Sequence, residues 1–346
     1  MGLLRSKIKL GSYPYVNARV RAMRSKLLSS NDYRKAMNMS LAEINEFLQQ
    51  QDYRDEINEY ASDHDGADLL EIALRQNLAN TYQKLIEISP ETVETLLQAY
   101  FQKFDVENIK TIVRKKLNEK HADIDPLLIP TDRFDDDALR RLQDMSVEEI
   151  LQEVKLGAQE PLSVDIDEPD DLAAIEHELD RRYYSSLQET ADRLPSDGKL
   201  FKEFLGLELE RRNIGLILRM QRQGYDETTI RDNLITMLDQ HDTSLIEELL
   251  EAEDYEAAIE HLKTEDIGQF ITNDDLPQVE RALDRYKLDR GTTMLHKHPL
   301  SINPILGYMI SKEAEIENLR IIMQAKRTGL GNEFIEDNII QTVIER

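Results

Sequence analysis

The stretch ERRNIGLILRMQRQGYDETTIRDNLI, Glu210 to Ile235, recurs without a gap as EIENLRIIMQAKRTGLGNEFIEDNII, Glu315 to Ile340. Nine of the twenty-six paired positions are identical: Glu210/Glu315, Asn213/Asn318, Ile217/Ile322, Arg222/Arg327, Gly224/Gly329, Ile230/Ile335, Asp232/Asp337, Asn233/Asn338 and Ile235/Ile340. The offset is 105 residues, and a further step of 105 lands on Asp105, Asn108 and Arg114 in DVENIKTIVRKK. One helical motif is therefore present three times. A period of this kind decides the architecture before any single element does.

Each copy has its own chemistry. Apolar residues fall at Ile109, Ile112 and Val113, at Ile214, Ile217 and Leu218, and at Leu319, Ile322 and Met323. Spacings of three and four put them on one stripe of a helix, the stripe that packs inward. Asn108, Asn213 and Asn318 each stand just before the first of these residues. An asparagine inside a helix is unfavourable unless its amide has partners. Three in equivalent places therefore point to one polar contact made three times, a contact between units being one form it could take. Gly224 and Gly329 follow basic last turns, the usual ending of a helix in the left-handed conformation.

Outward from the repeat, helical periodicity dominates the chain. Pro14 precedes a helix with Val16, Val20, Met23 and Leu27 on one face. Ser40 with Glu43, and Ser146 with Glu149, have the spacing of capping boxes and open the first two units. A long helix is predicted from Leu69 to Ile88, another from Leu172, and the repeat helix of the second unit from near Phe204, after a turn at Leu194–Lys199. VERALDRY (Val279–Tyr286) matches IEHELDRRY in the second unit. The expectation is an all-α chain of three similar helical units. Residues 1–130 form a basic N-terminal helix plus the first unit, 131–238 the second and 239–346 the third.

A chain of 346 residues is long enough for two or three cores. It has no cysteine, which excludes disulfides and cysteine-ligated metals and is compatible with a reducing cytoplasm. The net charge of −25 argues against nucleic acid as a general partner, since binding it requires phosphate neutralisation. Residues 1–35 run the other way, with nine Lys or Arg against the single acid Asp32. This basic head either packs on the acidic body or faces a partner or an anionic surface, with Arg19, Arg21 and Arg24 as the partner-binding candidates. No apolar run reaches the roughly 18 residues of a membrane span, and the N-terminal apolar pieces are too short for a secretory signal. Any membrane link is expected to run through another protein.

The candidate sites are all better read as structure. Asp63-His64-Asp65-Gly66 hints at a calcium loop but lacks the bidentate glutamate six residues past the glycine, so it reads as a turn. The acidic runs Asp135–Asp137 and Asp165–Asp171 read as linkers and helix caps rather than magnesium sites. His296 and His298 have no third ligand in view and read as a surface loop. Asp197-Gly198-Lys199 is the nearest approach to a phosphate loop, without its first glycine and with Leu200 where Ser or Thr must stand. Tyr13, Tyr15, Tyr183 and Tyr184 read as core or interface. No serine-hydrolase, metalloprotease or dinucleotide fingerprint is present. No catalytic, metal or cofactor-binding residue is expected.

YPYVNARVRAMRSKLL (Tyr13–Leu28), DVENIKTIVRKK and the threefold unit ending in ENLRIIMQAKRTG (Glu317–Gly329) resemble the C subunit of archaeal-type (A/V-type) ATP synthases, a relative of the d subunit of vacuolar ATPases. The resemblance spans essentially the whole chain, in order and length. It implies three helical domains in a pseudo-threefold funnel, peripheral to the cytoplasmic face of the cell membrane. It further implies a non-catalytic central-stalk rotor component without cofactor, set between the proteolipid rotor ring and the D and F subunits of the central shaft. Such a socket would link proton or sodium translocation to ATP synthesis or hydrolysis. The competing reading is a helical-repeat scaffold for unrelated proteins, although such repeats run to about 20–45 residues. A hydrolase acting through carboxylate pairs has only the abundance of acids in its favour.

Overall fold

The computed structural model describes residues 12–118, 124–153, 171–194, 196–236, 243–294 and 296–340. All regular structure among the described residues is helical, with no strand, as the periodicity predicts. The first copy of the repeat and its leader comprise α1 (Tyr13–Arg24), α2 (Ser30–Ala36), α3 (Leu41–Gln49), α4 (Arg54–Tyr60), α5 (Gly66–Ile88), α6 (Glu91–Phe101) and α7 (Lys103–Leu117). Then come α8 (Asp136–Asp144), α9 (Val147–Glu153), α10 (Asp171–Asp192), α11 (Asp197–Arg222) and α12 (Glu227–Asp232). The third set is α13 (Ser244–Leu250), α14 (Tyr255–Thr264), α15 (Leu276–Met294), α16 (Asn303–Thr328) and α17 (Asn332–Asn338).

The local signals act as their chemistry requires. Ser40 and Glu43 form a reciprocal capping box at α3, and Ser146 and Glu149 do the same at α9. Asp135 accepts a hydrogen bond from the Ala138 amide at 2.8 Å and caps α8. Asp63–Asp65 form the connection between α4 and α5, with Gly66 at φ +55°. Gly224 and Gly329 take φ +80° and +73°, and the amides of Tyr225 and Leu330 reach back to the carbonyls of Met220 and Ala325. Of the acidic run Asp165–Asp171, only Asp171 falls within the described residues, as the first residue of α10.

Two boundaries differ from the sequence reading. The repeat helix of the second copy starts at Asp197 rather than near Phe204, so Asp197-Gly198-Lys199 is already helix. A Cβ on Gly198 would stand 1.9 Å from the carbonyl oxygen of Ala191. The glycine is there because α11 begins hard against the end of α10. The α1 helix ends at Arg24, so its buried face is Val16 and Val20, with Leu27 beyond it.

The three repeat helices correspond in sequence register, α16 to α11 and α11 to α6 and α7 together, which are separated only by Gln102. Their stripes are fully buried: Ile109, Ile112 and Val113, then Ile214, Ile217 and Leu218, then Leu319 and Ile322 are all 0% exposed. Burial of each such side chain is worth roughly 1.5–3 kcal/mol, so the stripe alone anchors each helix.

The asparagine contact is made three times, and within each copy rather than between copies. Asn108 donates to the carbonyl of Ile129 at 2.6 Å and accepts from its amide at 2.8 Å. Asn213 bonds Ile235 in the same way at 2.8 and 3.3 Å, and Asn318 bonds Ile340 at 2.8 and 2.7 Å. Each amide side chain takes the place of a sheet partner for one buried peptide of the returning chain, satisfying groups that would otherwise be orphaned.

Helix contacts across the copies run in a cycle. Repeat helix α7 packs on the long helix α10 of the next copy, α11 packs on α15, and α16 packs on α5 of the first copy. The leader helix α1 also lies on α16, so the first described helix meets the last repeat helix.

Candidate functional site

The long helices α5, α10 and α15 share the pattern apolar-Glu-x-x-Leu at Leu70–Leu74, Ile175–Leu179 and Val279–Leu283. Its glutamate makes the same kind of bond at each of the three contacts. Glu176 pairs with Arg114 of α7 (2.8 Å), Glu280 with Arg219 of α11, and Glu71 with Arg320 of α16 (2.9 Å). A second rung supports two of the three contacts, with Lys110 on Asp180 and Arg211 on Asp284 (2.6 Å). At the contact between the last copy and the first, Arg75 stands where Asp180 and Asp284 stand elsewhere. It bonds Glu71 at 2.6 Å, so Glu71 is shared by Arg75 and Arg320.

Inside this cycle lies a polar junction. Lys103, Glu208 and Glu313 occupy one position of the repeat, each 105 residues from the next. Lys103 pairs with Glu313, which also accepts from the Tyr82 hydroxyl, and Lys287 of α15 pairs with Glu208. The four charged side chains are 14–21% exposed. Burial pushes the Glu313 carboxyl up, but Lys103 and Lys287 outweigh it and hold the group below the usual carboxylate range. Burial likewise pushes the Lys287 ammonium down, and Glu208 and Glu313 outweigh it and hold it above its ordinary value. The Tyr82, Tyr100 and Tyr183 phenols are driven well above theirs, chiefly by burial.

A cavity of about 420 Å³ opens beside the junction, with Lys103, Arg211, Arg281, Lys287 and Arg320 on its wall. Every one of these cations faces an acid: Glu313, Asp284, Glu317 (3.2 Å), Glu208 and Glu71 respectively. The wall is thus internally neutralised and serves to fix helices rather than to hold an anion. Among the described residues, no group of three or more His, Asp or Glu is placed to hold a metal.

The sequence-derived candidates land apart from this junction. Arg19 and Arg21 are exposed and Arg24 half-exposed on α1, and none has an acidic partner among the described residues. Asn108, Asn213 and Asn318 are buried in their own copies. Tyr183 is buried and donates to the Tyr100 carbonyl at 2.8 Å, and Tyr13 bonds Asp197. His296 and His298 are exposed in the loop before α16. Sequence reasoning matches the glutamate pattern of α10 and α15 but misses its first copy at Leu70, and with it the third arm of the cycle. The 105-residue step from Glu176 to Glu71 is the available signal. No helix among the described residues is long and apolar enough to cross a membrane.

The family model for the ATP synthase (C/AC39) subunit matches residues 16–338, from within α1 to the end of α17. The chain belongs to that family. Among relatives, the A-type ATP synthase C subunit of Methanosarcina acetivorans is 36% identical over 338 residues, covering 95% of this chain and 93% of the relative. That of Methanosarcina mazei is 35% identical, covering 96% and 95%. That of Haloquadratum walsbyi is 32% identical, covering 95% and 99%. The C/AC39 match takes in all three repeat copies and the whole polar junction, so the protein is a subunit of an ATP synthase.

Proposed function

We propose that this chain is a non-catalytic rotor component, a socket that couples the membrane proteolipid ring to the D and F subunits of the central shaft. Ion translocation would thereby be linked to ATP synthesis or hydrolysis. In this reading residues 1–130, 131–238 and 239–346 are three domains about a pseudo-threefold axis, and the protein sits peripherally on the cytoplasmic face of the membrane. The observation that carries the proposal is the cycle of ion pairs made by the repeated glutamate, Glu176–Arg114, Glu280–Arg219 and Glu71–Arg320, the third arginine standing one helical turn before the repeat position of the other two. A body that transmits torque must resist shear between its parts. Helices tied through one repeated glutamate at three contacts, with the last copy tied to the first, supply that stiffness. An open scaffold of repeats would leave its first and last units unjoined.

The test is to recover tagged protein from gently solubilised membranes and identify what accompanies it. Proteolipid together with the D and F subunits supports the socket. A free monomer in the soluble fraction, with neither partner, would bring the scaffold forward instead.

A further inference from the structure

The last repeat helix carries a set of buried polar groups that the cycle of ion pairs does not include. Lys312 and Glu315 stand one turn apart on α16, each 3% exposed, and bond at 2.8 Å. The same carboxylate reaches into the first copy. It accepts from the Tyr53 hydroxyl, at the start of α4, and from the Leu28 amide, in the connection between α1 and α2. Lys312 also donates to the Tyr53 hydroxyl at 2.9 Å, with its ammonium 4.3 Å from the centre of the Tyr53 ring. Burial and the Glu315 charge drive the Tyr53 phenol well above its ordinary value, so it remains a donor.

Sequence and burial both set this group apart. The acid recurs at its repeat position as Asp105 and Glu210, but Gln102 and Leu207 stand where Lys312 stands. Asp105 bonds Thr131, two residues past the Ile129 peptide that returns beside its own helix. Glu315 instead crosses from the last copy to the first, and there it is given a lysine. The other ion pairs from α16 to the first copy are more open. Lys103 and Glu313 are each 21% exposed, and Arg320 and Glu71 are 30% and 19% exposed. Water can replace a partner at those pairs. At Glu315 it cannot, so a displacement of α16 strands a buried charge.

The apolar part of the contact offers no such resistance. Leu306, Met309, Ile316, Leu319 and Met323 are all buried on α16, and their attraction to apolar neighbours is non-directional. A slide of one turn, about 5.4 Å, would again set apolar groups against apolar groups. It would also carry Glu313 away from Lys103 and Arg320 away from Glu71, from positions two residues before Glu315 and five after it. A buried ion pair adds little net stability, and its best-attested use is to fix register.

We propose that Lys312, Glu315 and Tyr53 form a register latch. They are positioning residues that hold α16 at one height against the first copy and so set Glu313 and Arg320 opposite their partners. The latch stands on its own geometry. Its use, to keep the joint between the last copy and the first from slipping under torque, rests on the socket reading.

The test is methionine methyl NMR of the isolated full-length chain, with Met37, Met309 and Met323 as buried reporters on the two sides of the contact. The unaltered chain should give one sharp signal for each. Lys312→Leu/Glu315→Gln removes both charges and keeps an acceptor for the Leu28 amide. It should melt within about 3 °C of the unaltered chain, while the Met309 and Met323 signals split or broaden about twofold as a second register is populated. Tyr53→Phe, which strands no charge and frees the pair from the first copy, should broaden the same signals to a smaller extent. Sharp, single signals in both variants overturn the proposal. So does a fall in melting temperature of more than about 10 °C with the signals still single, which would make the pair a stabiliser rather than a latch. Recovery of the proteolipid and the D and F subunits with the unaltered chain tests the socket separately, because the NMR result requires only the isolated chain.

Discussion

Asn318 and Ile340 exchange two hydrogen bonds, side-chain amide to backbone peptide, at 2.8 and 2.7 Å, and Asn213 with Ile235 and Asn108 with Ile129 repeat the arrangement. The asparagine lies within a helix and the isoleucine ends the segment that returns beside it. Each copy is therefore closed on itself by one side chain before it meets its neighbours.

Replacing Asn318 by alanine leaves both the amide and the carbonyl of Ile340 buried without partners. The expected cost is about 2–4 kcal/mol, read as a lower urea midpoint with little change in slope. Asn213→Ala should cost a similar amount, because its bonds are equivalent. A loss below about 0.5 kcal/mol at both sites, the scale of an ordinary surface substitution, would show that water replaces the clamp.

Lys287 and Glu208 form a pair at the junction with little access to solvent. Lys287→Met strands the Glu208 carboxylate, with an expected loss of about 3–5 kcal/mol. Adding Glu208→Gln should recover part of that loss, giving a coupling energy on the order of 1–3 kcal/mol in a double-mutant cycle. Strict additivity of the two substitutions would mean that the pair does not tie α11 to α15.

Asp105 is 3% exposed and accepts a hydrogen bond from the Thr131 hydroxyl at 2.5 Å. Burial raises its carboxyl from 3.8 to about 6. The folded chain thus holds this proton more tightly than the unfolded chain does. The group favours folding below pH 4, that contribution is lost as pH rises towards 6, and above pH 6 the ionised form is a constant burden. Asp105→Asn, which can still accept from Thr131, should stabilise the protein at pH 8 by about 1–3 kcal/mol and flatten the pH dependence between those limits. A lower melting temperature at pH 8 would show that the carboxylate is held by a cation strongly enough to outweigh its burial.

What is legible in the sequence follows from what is local. The repeat stripes, the capping boxes at Ser40 and Ser146 and the glycine stops at Gly224 and Gly329 depend on residues within two turns of one another, so spacing alone reveals them. The asparagine clamp is half legible. Three equivalent asparagines announce a contact, but their partners are backbone groups more than twenty residues away and bear no side-chain signature. The start of α11 is not legible, because Gly198 has the composition of a turn, while the carbonyl of Ala191 that demands a glycine there belongs to another helix. The Glu–Arg cycle is hidden for the same reason. Glu71 and Arg320 are 249 residues apart, and only the cyclic packing of the copies brings them together.

The last copy is joined to the first, and that joint is expected to hold while the complex works. The chain has no cysteine, so Glu71→Cys/Arg320→Cys places a single pair across that contact, ready for a short bis-maleimide in complexes otherwise free of accessible cysteine. The direct measurement is coupled ATP-driven ion pumping before and after crosslinking. Near-complete crosslinking within the assembled complex, with pumping retained, is the expected result. Crosslinking that occurs only in the isolated chain, or that abolishes pumping in the complex, would contradict it.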